Sequence, residues 1–234
     1  MLTKAQSTKT VDAFMNLLVT ESFSSVTLRG VADEANVPLA KLVMTFSQKT
    51  ELLDAFASRI DEIVLADDDP DMGDEPARER LFDVLMRRYD ALLPYKLALI
   101  QLEKDARRDP ALMLELARIA SRSMRRMAVR ADLDVEGARG GLVLTGLLRL
   151  HERTMRVFLA EEEGGQAKTM ASLDTALRQA ERRMRDIDRS VTLMRGEGGP
   201  TGGPLCRLRA AMDRRRDGES AGSANEDATT GQAA

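Results

Sequence analysis

Histidine and cysteine, the side chains most often recruited for catalysis and metal binding, occur once each, as His151 and Cys206. A His-based triad or a multi-histidine metal site therefore cannot be assembled within one subunit. A lone cysteine in a Gly-rich stretch makes neither a disulfide framework nor a thiolate metal cage. The glycines between Gly137 and Gly146 do not follow a strand, and those between Gly196 and Gly203 lie near the C-terminus, so neither group forms a dinucleotide-binding loop. Acidic residues are plentiful but distributed as helix-surface charge. The expectation is a protein that is not an enzyme and needs no cofactor or metal. What stands out is the stretch from Ala35 to Thr50, which holds Lys41 and Lys49 and no acid, with Thr27 and Arg29 just before it. Cationic and hydroxyl groups gathered this way supply donors for phosphate oxygens, and lysine also for guanine acceptors.

The elements that position these groups are helical. The 234 residues are 43% hydrophobic and 31% charged but only 3% aromatic, with no Trp, so strand formers are scarce and helix formers abound. The expected fold class is all-α, with about nine helices. The net charge of −3 hides a neutral N-terminal part: Lys4, Lys9, Arg29, Lys41, Lys49 and Arg59 balance Asp12, Glu21, Asp33, Glu34, Glu51 and Asp54. Any anion-binding surface is small and lies in the acid-free run. The longest uncharged apolar run, Gly140 to Leu148, is far short of a membrane span. A soluble, unprocessed, cytoplasmic protein without stable membrane insertion is expected.

Along the chain, Val11, Phe14, Leu17 and Leu18 predict a first amphipathic helix from Ala5 to Ser22. Thr27 offers a hydroxyl N-cap to a second from Leu28 to Ala35. Asn36 suits the left-handed turn that follows, and Pro38 fits the first position of a third helix ending near Phe46. Ser47 caps a fourth with its seam at Leu53, Phe56, Ile60 and Ile63. The acidic Asp67 to Glu75 stretch reads as a solvated linker. Beyond it, Leu81, Phe82, Leu85, Tyr89 and Leu92 mark a fifth helix stopped by Pro94, and Tyr95 to about Ala106 a sixth. Asp109 and Pro110 open a seventh reaching about Arg130. Asp134 starts an eighth that runs to Ala160, with Gly164 and Gly165 beyond it. The last helix repeats Met170, Leu173, Leu177, Ala180, Met184, Ile187, Val191 and Met194, a seam that asks for a partner. The glycines of the eighth helix would allow close approach by that partner, and two such hairpins pair naturally across a two-fold axis. A hairpin packed only within its own subunit is the alternative.

Residues 196–234 hold eight of the sixteen glycines and read as a disordered tail. Within it, Leu205, Leu208 and Met212 interleave with Arg207, Arg209 and Arg214 to Arg216. A short basic amphipathic turn against DNA or anionic lipid is one reading of these residues, and a solvated tail is the other.

The run Thr27-Leu-Arg-Gly-Val-Ala-Asp-Glu-Ala-Asn-Val-Pro, followed by Leu39-Ala-Lys-Leu-Val-Met-Thr-Phe-Ser-Gln-Lys49-Thr-Glu-Leu-Leu, resembles the N-terminal signature of TetR-family repressors. Phe14, the Phe23 to Thr27 turn, Val31-Ala32, and Leu42 with Phe46 carry the likeness. At Asn36, Pro38 and Val43 the chain differs from the family's usual glycine, serine and tyrosine. The resemblance implies a helix-turn-helix DNA-binding domain over residues 1–50, an effector-binding and dimerisation domain over 51–195, and the tail. It implies a homodimer formed through the last two helices, reading pseudo-palindromic double-stranded DNA as a ligand-responsive repressor.

The DNA-facing residues expected on this basis are Thr27, Arg29, Pro38, Leu39, Lys41, Met44, Thr45, Ser47, Gln48 and Lys49. Lys49 is the phosphate clamp by analogy with the family, and Lys41 and Thr45 are the base readers. A small apolar effector would be enclosed by Tyr89, Tyr95, Leu116, Met124, Met127, His151, Met155 and Phe158, where methionine supplies an adaptable lining. Each of these apolar residues also reads as ordinary core. The greasy third helix, neutral head and basic tail leave a second expectation open: a TetR-fold lipid- or isoprenoid-quinone-binding protein that no longer reads DNA.

Overall fold

The computed structural model describes residues 1–66, 73–162 and 165–195. The expected tail at 196–234 and most of the acidic linker lie outside them. Among the described residues nine α-helices run in order: α1 Lys4–Thr20, α2 Leu28–Ala35, α3 Leu39–Val43, α4 Lys49–Ala66, α5 Ala77–Leu92, α6 Lys96–Ala106, α7 Pro110–Arg130, α8 Gly137–Ala160 and α9 Ala167–Arg195. No strand occurs among them. None of these helices is long and apolar enough to cross a membrane. Residues Met1–Arg178 form one compact unit, and the described residues from Gln179 onward belong to a second. In the second, the described side chains from Gln179 to Arg189 are exposed or half-buried, with Ile187 37% exposed.

Local chemistry explains most boundaries. The Thr3 hydroxyl accepts the Gln6 amide at 3.3 Å while the Gln6 side chain accepts the Thr3 amide at 3.1 Å, a reciprocal cap on α1. Thr27 accepts the Gly30 amide at 3.0 Å and starts α2. Asn36 ends α2 with φ 52° and ψ 52°, and the Val37 amide donates to the Ala32 carbonyl at 2.9 Å, so the last turn is closed by a left-handed cap. Asp109 caps α7 through the Ala111 and Leu112 amides, with Pro110 at the first helical position. Glu161 reaches forward to accept the Lys168 amide at 2.7 Å and the Thr169 amide at 3.0 Å, satisfying amides at the start of α9.

Several expectations are corrected. Pro38 is the N-cap of α3 rather than its first helical residue, and α3 stops at Val43 instead of continuing to Phe46. The Leu42 carbonyl accepts both the Thr45 and the Phe46 amides, so the chain tightens at that point instead of propagating. On α4 the buried seam closes with Val64, whereas Ile63 is 54% exposed. Helix α8 begins at Gly137, not Asp134, whose carboxylate instead accepts the Glu136 amide. Gly140 meets the backbone of its own preceding turn: a Cβ there would sit 2.0 Å from the Val135 carbonyl carbon. Gly141 and Gly146 face open space. The close approach expected between α8 and the final helix is therefore not what Gly140 serves. In the first part of α9, Leu173 and Leu177 are buried but Met170 is 48% exposed, and Asp174 pairs with Arg78 of α5.

The core of the first unit runs from Val11 in α1 through Phe14, Leu42 and Phe56 to Tyr89, Met127, Phe158 and Leu177. Within it lies a charge hub. The Asp61 carboxylate on α4, 1% exposed, takes Arg88 of α5 on one oxygen. On the other it accepts Ser123 at 2.8 Å and Arg126 at 2.9 Å, both from α7. Burial pulls the Arg88 pKa down and the Asp61 charge acts against that. Removing the carboxylate leaves the Arg88 guanidinium charged and buried, so Asp61→Ala is expected to lower stability by about 3–5 kcal/mol. Urea denaturation followed by circular dichroism measures this, and a loss below about 1 kcal/mol would exclude the hub as a structural tie.

Candidate nucleic-acid interface

The sequence places two kinds of group on the head formed by α1 to α3 and the start of α4: those that grip the fold and those left outward. Leu42 is fully buried and Phe46 nearly so, which anchors α3 from beneath. Pro38, Ala40, Lys41, Val43 and Met44 are then exposed, Met44 at 70%, while Leu39 is half-buried. Thr27, Arg29, Ser47 and Gln48 are exposed as well. Thr27 spends its acceptor on the α2 cap but keeps a hydrogen to donate, at the positive end of that helix.

Three expected contacts are already engaged within the chain. Thr45 is half-buried; its hydroxyl donates to the Lys41 carbonyl at 2.9 Å and accepts the Leu2 amide at 3.0 Å. Ser47 gives its amide and hydroxyl to the two oxygens of Glu51 at 2.8 and 2.7 Å, a link that closes the first turn of α4. Those bonds hold the Glu51 carboxyl below its ordinary range. The Lys49 ammonium donates to the Phe23 carbonyl and, at 3.4 Å, to that of Ser24, and lies 4.5 Å from the centre of the Phe23 ring. Partial burial lowers its pKa.

Lys49 is one half of a clasp that sequence reasoning missed. Across from it, Asp105 of α6 accepts the Phe23 amide at 2.7 Å. The Phe23 ring also packs edge-on against Phe14 of α1, centroids 6.4 Å apart. A single turn, just before the Thr27 cap, is thus held by α1, α4 and α6 together. No periodicity marks Asp105, because its partner is a backbone amide 82 positions away. A polar cleft of about 320 Å³, lined by Gln48, Thr50, Glu51, Asp54, Glu115 and Arg118, opens between the starts of α4 and α7.

The residues expected around an effector divide. Tyr89, Met124, Met127, His151 and Phe158 are buried. Tyr89 packs 5.3 Å from Phe158 and stacks 6.3 Å from His151, with its hydroxyl 3.4 Å from the imidazole Nδ1. Leu116 and Met155 are half-buried at the edge of the core. Tyr95 is elsewhere: it meets Phe56 at 4.9 Å, and its hydroxyl joins Arg59 at 3.0 Å and Asp12 at 3.3 Å, a junction of α1 and α4 with the turn before α6. Its place next to Pro94 in sequence gives no hint of this, since the partners come from the first 60 residues.

No sequence-family model matches the chain, and no curated protein sequence does. Solved structures do. A TetR transcriptional regulator from Nitrosomonas europaea superposes with a TM-score of 0.61 at 20% identity, covering 76% of this chain and 99% of that one. The fold is that of the TetR regulators. A TetR transcriptional regulator from Rhodococcus sp. RHA1 gives a TM-score of 0.54 at 18% identity, over 75% of this chain and 95% of that one. In this TetR-type fold the outward residues of α2 and α3 occupy the helix-turn-helix, and the Tyr89–His151–Phe158 cluster sits in the helical body behind it.

His151 reports on that body. Burial pushes its pKa down to about 3, and the nearby positive charge of Arg88 adds to the shift. Burial likewise holds the Tyr89 phenol protonated well above its ordinary range. In the unfolded chain the imidazole binds a proton near about 6.5. The unfolded state therefore holds more protons between those two values, and stability is full above pH 6.5 and falls as pH drops toward 3. Urea midpoints measured from pH 7 to pH 5 should decline in the parent and decline less in His151→Gln. An equal slope in both would show that the ring is not buried as a neutral group.

Proposed function

We propose that the chain is a ligand-responsive transcriptional regulator, acting as a repressor, that binds double-stranded DNA as a homodimer. The observation that carries this is the outward face of α3: its outer side chains are uncovered while Thr27 and Arg29 stand exposed at the start of α2. A duplex needs that arrangement, a short helix for the major groove flanked by donors for the backbone. The clasp on Phe23 supports the response to ligand. Asp105 belongs to the helical body, so a shift of α6 pulls on the turn that sets Thr27 and α2. An effector acts by binding the DNA-incompetent arrangement more tightly than the competent one.

The effector proposed is a small apolar molecule taken up among Tyr89, Met124, Met127, Met155 and Phe158. Tyr89 and Phe158 pack on each other, Met124 and Met127 are buried in the same core with Met155 at its edge, and the unbranched methionines are the ones that rearrange at least cost. Exposed Leu142 on α8, at 52%, beside open Gly141 and Gly146, supports dimerisation through that helix, and exposed Met170 does the same for α9. Two heads related by a two-fold axis would read half-sites about 34 Å apart.

Selection of duplexes from random DNA by gel shift tests the reading. The expected product is a pseudo-palindrome with half-sites separated by about one helical turn or a multiple of it. Lys41→Ala should change which base is preferred at one position of each half-site, while Arg29→Ala weakens all sequences alike and reduces the salt slope by about one. Absence of any retained duplex at low salt, with a stoichiometric isoprenoid recovered by organic extraction, would replace the regulator by a lipid carrier of the same fold. Sedimentation should give a dimer for the parent and a monomer for Leu142→Glu. A parent that sediments as a monomer at micromolar concentration would remove the two-fold model.

A further inference from the structure

The exposed face of α3 is apolar except for one charge. Leu42 and Phe46 point inward, and Ala40, Lys41, Val43 and Met44 point outward. Met44 continues the helical path, with φ −70° and ψ −12°, so Ala40 and Met44 stand one turn apart on the same side, and Lys41 adjoins them. Thr45, the remaining polar side chain of this segment, has its hydroxyl donated to the Lys41 carbonyl and closed off by the Leu2 amide. What this helix presents is a single ammonium beside three aliphatic groups, two of them 42% and 70% exposed. Of the base edges in the major groove, only thymine offers an apolar group, its C5 methyl.

We propose that α3 selects its site chiefly through thymine methyl groups, with Val43 and Met44 packed on the C5 methyls of successive thymines and Lys41 donating to an adjacent guanine. This rests on the regulator reading and deepens it by naming the chemistry of the half-site. The charge around the patch fits a duplex: the acid-free run supplies Lys41, and the start of α2 adds Arg29 and the Thr27 hydroxyl on its positive end. Specificity of this kind comes from desolvation and fit, not from paired hydrogen bonds, so single contacts discriminate modestly and the site is defined by their sum.

The test uses the full chain and the duplex enriched from random DNA, with each thymine replaced in turn by deoxyuridine, which lacks only the methyl. Affinity should fall about fourfold per methyl at the thymines facing α3 in each half-site, the value for burying one such group, and stay unchanged elsewhere. In Met44→Ala one of those positions should lose its sensitivity to the methyl, and in Val43→Ala another. Both residues are exposed, and thermal melting confirms that each variant folds. If a duplex is enriched but no deoxyuridine substitution changes affinity, or both variants keep the full methyl sensitivity, the thymine reading is wrong and the regulator reading stands. If no duplex is enriched at low salt, the regulator reading itself fails, and this inference with it.

Discussion

The carboxylate of Asp61 is taken out of water with Arg88, Arg126 and Ser123 as its partners, and each partner comes from α5 or α7. An ion in that position is tolerated only while every partner stays in place, because a buried charge without its counter-ion costs several kcal/mol. The arrangement fixes the register of α4 against the body, with apolar Phe56, Ile60 and Val64 packing along the same helix. Helix α4 begins at Lys49, on the head. A constraint deep in the body therefore governs where the head sits. Arg122 on Asp54 and Arg126 on Ser58 repeat the linkage between α7 and α4 nearer the head, in more exposed and weaker form.

The clasp on Phe23 applies the same logic to α2. The backbone of one residue is gripped from two sides, the Phe23 amide by Asp105 and the Phe23 carbonyl by Lys49. Hydrogen bonds to charged groups are among the stronger ones available to a backbone turn. The turn cannot move without breaking one of them or carrying α6 along. The two-sided grip ties the position of this short turn to α4 and α6, where apolar packing alone would let it slip.

Inside the body, one buried cluster joins the phenol of Tyr89 and the imidazole of His151 to the Phe158 ring. Neutral His151 and protonated Tyr89 pack with Phe158, and the charge of buried Arg88, whose Nε has no hydrogen-bond partner among the described residues, is felt at the imidazole. In such surroundings the neutral forms of His151 and Tyr89 are favoured, because a further buried charge would lack compensation.

Local sequence determined the helices and many of their stops, though not the early end of α3 or the late start of α8. Thr27, Asn36, Asp109 and Pro110 act through their own hydroxyl, carboxylate or φ preference within a few residues, so their roles were legible from residue type and position. The same holds for the all-α class and for the order of the helix-turn-helix, both read from periodicity and capping and both found in the TetR-type fold. What tertiary structure decided were the partners that sequence distance hides. Lys49 and Thr45 carry donor and acceptor groups suited to DNA, yet the chain folds back and gives them Phe23 and Leu2. Asp61 and Asp105 read as surface acids and became ties, and Tyr95 left the expected effector cluster for Asp12 and Arg59. A side chain's type says which bonds it can make; only the packed chain settles which groups arrive within reach, because that depends on how whole helices cross and not on the residues beside it.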